Sequence, residues 1–125
     1  MAVVSLALFS PPLWSGGDTT SDLLRSCKVY ADAEQKPNAQ QDPEYLMDLS
    51  RCLYIVRSVT DTYHNLKVLA KDEPWPYDIC IPQGTSTNEV INNFISFAES
   101  SQSAHDAPPA LGVLLSLKKY RCYDQ

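Results

Sequence analysis

Residues 42–66 read DPEYLMDLSRCLYIVRSVTDTYHNL, and this stretch decides the fold. Its start suits a helix, because Asp42 fits the N-cap, Pro43 fits the first helical position and Glu44 faces the positive end of the helix dipole. Largely apolar residues then recur at spacings of four and three, the period of one helix face. The members of this stripe are Tyr45, Leu49, Cys52, Val56, Val59, Tyr63 and Leu66. The stretch therefore predicts a helix of about six turns with one buried seam.

Three further amphipathic segments complete the predicted architecture. A helix over residues 22–33 follows hydroxyl residues at 19–21 that can cap it. Ser86 and Glu89 have the spacing of a capping box and open a third helix, while Pro108 and Pro109 precede a fourth. The predicted inward residues are Leu23, Leu24, Cys27, Tyr30 and Ala31 in the first helix, Val90, Ile91, Phe94, Phe97 and Ala98 in the third, and Ala110, Val113, Leu114, Leu117 and Tyr120 in the fourth. Because no alternating strand pattern occurs, the sequence predicts an all-α fold, with four main helices in a compact bundle.

The four cysteines are Cys27, Cys52, Cys80 and Cys122. Their wide spacing, with neither histidine in a zinc-finger position, predicts no metal site. An even number in a small exported domain predicts two disulfides, for which three pairings are open. The alternative is four separate reduced cysteines in the core of a cytosolic protein. Helices three and four, joined by a short loop, run antiparallel, which brings Cys80 beside Cys122. Cys27 and Cys52 lie on apolar helix faces, so the pairs Cys27–Cys52 and Cys80–Cys122 are favoured.

The N-terminal segment, residues 1–15, carries no charge and contains the apolar run AVVSLALF at 2–9. That run is too short to span a bilayer as a helix. It fits the apolar region of a secretory signal peptide, although no Lys or Arg precedes Arg25. The alternative is a buried N-terminal strand or helix. We predict a signal peptide over residues 1–15, a helical domain over residues 20–125, and no membrane association after signal removal.

Charge and motif content favour a binding protein over an enzyme. The net charge is −5, and the basic cluster at Lys118, Lys119 and Arg121 suits a helix C-terminus better than nucleic-acid binding. None of the four glycines forms a phosphate-binding motif, and bridged cysteines are not nucleophiles. Asp61 and His64 have the spacing of a solvated helix-surface contact. We therefore predict no catalytic residues, no cofactor and no nucleic-acid partner.

The remaining feature is a rigid scaffold with two displayed loops, at residues 71–79 and 100–107. Loops held on a rigid scaffold are where binding residues usually lie. His105 is expected to be exposed within the second loop.

Several segments together resemble a known family. Residues 52–55 read CLYI, residues 61–63 read DTY, residues 79–85 read ICIPQGT, and a closing helix after Pro109 ends in YRC at 120–122. From about residue 21 to residue 122, the chain resembles the immunity proteins that protect bacteria from type VI secreted peptidoglycan amidases, the Tai/Rap family. Residues 101–106 read SQSAHD, where the family often has a His-Pro-Glu stretch.

The resemblance implies a periplasmic, mostly helical homodimer that binds a cysteine-peptidase amidase and occludes its active site. It also implies that a protruding loop and the outer face of helix three make the inhibitory contact. The residues that match these segments are Asn92, Asn93, Ser96, Glu99, Ser100, Gln102, Ser103, His105 and Asp106.

Two other functions remain open at this stage. A small periplasmic chaperone or stress protein of similar helical build would bind many unfolded clients through apolar surface. An enzyme would need a catalytic constellation that the sequence does not supply.

Overall fold

The computed structural model describes residues 18–35, 42–69 and 79–122. Over these residues the chain forms four α-helices: α1 (Thr20–Gln35), α2 (Pro43–Leu69), α3 (Thr87–Ser100) and α4 (Pro109–Ser116). Short 3₁₀ turns follow α3 at Gln102–Ala104 and α4 at Leu117–Tyr120. Within the described ranges there is no strand, only an isolated antiparallel bridge between Ile79 and Arg121. The predicted all-α bundle is confirmed.

Local side-chain chemistry sets where three of the helices begin. Asp42 accepts a hydrogen bond from the Tyr45 backbone N–H at 2.8 Å, as expected of an N-cap. The predicted capping box is present, since the Glu89 N–H donates to Ser86 Oγ at 3.1 Å and the Ser86 N–H donates to the Glu89 carboxylate at 3.4 Å.

A second reciprocal pair opens α1. The Thr19 N–H donates to Asp22 at 2.9 Å, and the Asp22 N–H donates to Thr19 Oγ1 at 3.2 Å. The bonds from the Thr19 backbone and hydroxyl hold the pKa of Asp22 below its ordinary value, because they favour the ionised carboxylate. This cap starts the helix at Thr20, two residues earlier than the sequence pattern predicts.

The core lies where α1 packs against the other three helices. Its largest fully buried side chains include Phe94, Leu23, Ile91, Leu117, Val56 and Val113. Most predicted inward residues are buried or half-buried, with two exceptions. Ala110 is exposed near the start of α4, and Leu66 at the far end of the α2 seam is 44% exposed. Both residues lie near the end of a helix and line an open groove between α2 and α4.

Both favoured disulfides are confirmed. Cys27–Cys52 joins α1 to α2 inside the core, where both residues have no exposed surface. Cys80–Cys122 joins the segment before α3 to the residues that follow α4 and its 3₁₀ turn. A backbone hydrogen bond from the Cys80 N–H to the Tyr120 carbonyl lies beside this second bridge. Two disulfides indicate that the protein folds in an oxidising, non-cytosolic environment.

The close approach of α1 to α4 depends on a glycine. Thr20 is fully buried, and its hydroxyl donates to the carbonyls of Ala107 and Pro108 at 3.0 and 3.2 Å. Directly opposite is Gly112, where an added Cβ would lie 2.6 Å from Thr20 Cγ2 and closer still to its Oγ1. The absence of a side chain at Gly112 is therefore what lets Thr20 reach the α4 entry.

We predict that Gly112→Ala destabilises the fold by about 1–3 kcal/mol, the usual cost of overpacking a tight core contact. Urea denaturation followed by far-UV circular dichroism measures the loss. Thr20→Ala removes the two nearest clashing atoms, so the double variant should lose less than the sum of the single losses. Strict additivity in this cycle would contradict the assigned contact.

We also predict that each disulfide contributes several kcal/mol. Closure of loops with separations of 25 and 42 residues corresponds to about 3.5 and about 4 kcal/mol in the chain-entropy model. Paired Cys→Ala variants, Cys27 with Cys52 and Cys80 with Cys122, are compared by urea denaturation, and non-reducing peptide mapping confirms the bridge that is left. A loss below about 1 kcal/mol for either pair would refute this expectation.

Candidate protein-binding surface

The outer face of α3 carries part of the predicted binding set. Asn92, Ser96 and Glu99 are exposed along it, as the sequence pattern predicts. Asn93 is not on this face, which corrects its predicted position. It is half-buried, and its Nδ2 donates to the Ser116 carbonyl at 2.8 Å, so it ties α3 to the end of α4.

The polar side chains at the C-terminal end of α3 make only weak interactions with the rest of the protein. The Glu99 Oε2 atom lies 3.3 Å from Nζ of Lys28 in α1, and about half of each side chain is exposed. Exposed ion pairs of this kind contribute little to stability, because water and salt screen them. The Ser100 hydroxyl donates to the carbonyls of Ser96 and Phe97, both at 3.1 Å, within its own helix. A partner can therefore compete for Glu99 at low cost.

The segment from Ser100 to Ala107 is a turn held in place by hydrogen bonds and is called here the pinned turn. The sequence had predicted an exposed loop. Its backbone carbonyls at His105 and Ala107 accept hydrogen bonds from the α1 N–H groups of Ser21 and Thr20, at 3.1 and 2.8 Å. Free N–H groups at the start of a helix are thereby satisfied. Ala104 is buried beneath the turn.

His105 is half-buried, which corrects the expectation that it is exposed. Its Nε2 lies 2.7 Å from the Ala98 carbonyl. Because a carbonyl oxygen only accepts, Nε2 must carry the proton in this contact. His105 thus fastens the turn to α3, and its ring is not presented to a partner as a free side chain.

The exposed members of the turn are Ser100, Gln102, Ser103 and Asp106. With Asn92, Ser96 and Glu99 they form the candidate binding surface, called here the α3 face. Of the nine predicted residues, Asn93 and His105 act mainly as internal supports of this surface. The other predicted loop, residues 71–79, lies outside the described residues except for Ile79, and so do residues 1–15.

A second surface, on the solvent side of α2, was not predicted from the sequence. Leu46, Met47 and Tyr54 are 44%, 61% and 73% exposed there. The apolar pair Leu46 and Met47 recurs seven residues later as Leu53 and Tyr54, and this repeat away from the buried seam was the signal that could have revealed it.

Apolar grooves also flank the C-terminal half of α2. One, of about 380 Å³, lies between α2 and α4 and is lined by Val59, Tyr63, Leu66, Leu111 and Leu114, among others. A second, of about 350 Å³, lies beside Tyr63 and His64 and reaches Cys80. Both grooves are mostly apolar at their walls and open to solvent.

The described residues were considered for metal-binding groups, reactive cysteines and membrane-spanning helices. No group of three metal-ligating side chains occurs in the ranges that the structure covers. All four cysteines are bridged. No helix in the described ranges is both long and apolar enough to cross a bilayer.

Comparison with protein-family models, curated proteins and solved structures found no match to this chain.

We predict that His105→Ala loosens the pinned turn. Loss of the bond to Ala98 should reduce the free energy of unfolding by about 1 kcal/mol and speed amide hydrogen exchange in residues 102–107. Exchange followed by mass spectrometry measures the effect. Ser103→Ala, an exposed change in the same turn, is the matched control and should leave exchange unaltered. Equal protection in both variants would show that His105 does not hold the turn.

Proposed function

We propose that this chain is an immunity protein that binds a type VI secreted peptidoglycan amidase in the periplasm and inhibits it by occluding the active site. The sequence resemblance over residues 21–122 motivates the proposal. Two disulfides are consistent with export, since such bonds persist in oxidising compartments. The protein acts stoichiometrically, as a homodimer, and turns over no substrate.

The observation that carries the proposal is the pinned polar turn that forms part of the α3 face. Exposed polar residues, Gln102 and Ser103, project from a turn that is hydrogen-bonded to both α1 and α3. A narrow polar turn suits entry into a catalytic cleft, and one that is already ordered loses little conformational entropy on binding. The net charge of −5 would speed encounter with a basic enzyme.

Ser103→Arg should weaken inhibition at least tenfold, because a long cation at the tip of the turn obstructs close approach to the enzyme. The assay mixes the chain with the amidase encoded beside it and measures peptidoglycan hydrolysis, with complex formation followed by gel filtration. Asp32→Arg, an exposed site near the other end of α1, is the control and should inhibit as the wild type does. If the wild-type chain forms no complex and hydrolysis continues unchanged, the proposal is wrong.

A small periplasmic chaperone is the second candidate, favoured by the exposed apolar side chains of α2 and the two open grooves. That function requires apolar surface that takes up many unfolded clients. Suppression of aggregation of unrelated unfolded proteins, together with dye binding at acid pH, would favour the chaperone over the immunity protein.

A further inference from the structure

The two disulfides differ in their access to solvent. Cys27 and Cys52 have no exposed surface and belong to the core cluster. Cys80 and Cys122 lie outside that cluster, and both are half-buried. Thiol–disulfide exchange requires that a thiolate reach one of the two sulfur atoms, so its rate depends on access. The two bridges should therefore react at very different rates while the protein is folded.

An open groove leads to the second bridge. It is the groove of about 350 Å³ described above, and its wall includes Cys80, His64, Val68 and Ile81. His64 and Val68 are exposed side chains of α2, so this side of the groove is in contact with solvent. A space of this size admits a small molecule, and the reactive end of a dithiol can enter it.

The charges around the bridge suit the approach of an anion. An incoming thiolate is negatively charged, and the described residues that line the groove include no Asp or Glu. On the other side of the bridge, the basic cluster of Lys118, Lys119 and Arg121 directly precedes Cys122. Positive charge near a departing sulfur atom stabilises the thiolate that forms there.

We propose that Cys80–Cys122 is a thiol-exchange site, which a dithiol reductant opens in the folded protein while Cys27–Cys52 stays closed. A thiolate of the dithiol attacks Sγ of Cys80 from the groove, the S–S bond breaks, and Cys122 leaves as a thiolate that is then protonated. The second thiol of the reductant attacks the resulting mixed disulfide and releases Cys80. Two electrons and two protons pass from the dithiol, which becomes a disulfide, to the protein, which gains two thiols.

The surrounding structure can persist after the bridge opens. Leu117 is fully buried and Tyr120 is nearly so, and the Tyr120 carbonyl accepts a hydrogen bond from the Cys80 N–H at 2.6 Å. These contacts hold the residues that follow α4 close to the segment before α3, so the same exchange run in reverse can close the bridge again. The exchange requires no protein partner, and it stands whether or not the chain binds an amidase.

Reduction kinetics of the native protein test the site. The oxidised protein is treated with dithiothreitol without denaturant, samples are quenched with an alkylating reagent, and peptide mapping identifies the modified cysteines. Cys80 and Cys122 should be alkylated at least about a hundredfold faster than Cys27 and Cys52, because the buried bridge reacts only after a large opening of the fold. Far-UV circular dichroism of the singly reduced product should retain the helical signal.

Low concentrations of urea separate exchange in the folded state from exchange after unfolding. Below the unfolding transition, the rate for Cys80–Cys122 should change less than twofold. The rate for Cys27–Cys52 should rise steadily over the same range, because urea increases the population of the unfolded state.

Two adjacent residues of α2 test the route of attack. His64 and Asn65 are both exposed, but of the two only His64 lines the groove. His64→Glu places a carboxylate on the path of the thiolate and should slow reduction of Cys80–Cys122 at least threefold at low ionic strength, where charges are poorly screened. Asn65→Glu adds the same charge outside the groove and should change the rate less than 1.5-fold.

Equal reduction rates for the two bridges would overturn this inference, and so would reduction of Cys80–Cys122 only above the unfolding transition. If the bridges differ but both Glu variants react alike, the assignment of the groove and of Cys80 as the attacked residue is wrong. Selective reduction in a protein that forms no amidase complex would support the exchange site and refute only the proposed function.

Discussion

The structure depends on the burial of α1 against the other three helices. Its middle is joined to α2 by the Cys27–Cys52 bridge, inside a core where neither cysteine is exposed. Its first turn is inserted against α4 through Thr20, which fits only because Gly112 has no side chain. With α1 in place, α3 and α4 gain a common surface on which Phe94, Val113 and Leu117 are buried.

The same helix also orders the surface that we propose binds an enzyme. The free N–H groups at the start of α1 donate to the turn that follows α3, and His105 fastens that turn from the other side. Helix capping and the ordering of a binding surface are therefore achieved by one set of hydrogen bonds. A turn held in this way presents its exposed side chains in a single arrangement, which lowers the entropic cost of association.

The α3 face differs in chemistry from the exposed apolar side of α2 that Leu46, Met47 and Tyr54 form. The first is polar, and part of it lies on a turn whose backbone is held by hydrogen bonds to α1 and α3. The second is apolar, with an aromatic projection between two hollows. Polar rims and apolar centres have different roles in protein interfaces, and here they occupy separate surfaces of the molecule.

Sequence by itself predicted the four helices, their order, the caps of α2 and α3 and the favoured disulfide pairing, because each of these depends on local periodicity and on short connections. It also predicted that most residues of the α3 face are exposed. Only the tertiary structure decided that Asn93 reaches the Ser116 carbonyl, that His105 is fastened to Ala98, and that Ala110 is exposed. Helical periodicity shows which residues share a face. Whether a given face meets another helix or solvent depends on how the helices cross and diverge, and that is settled by packing between segments far apart in the chain.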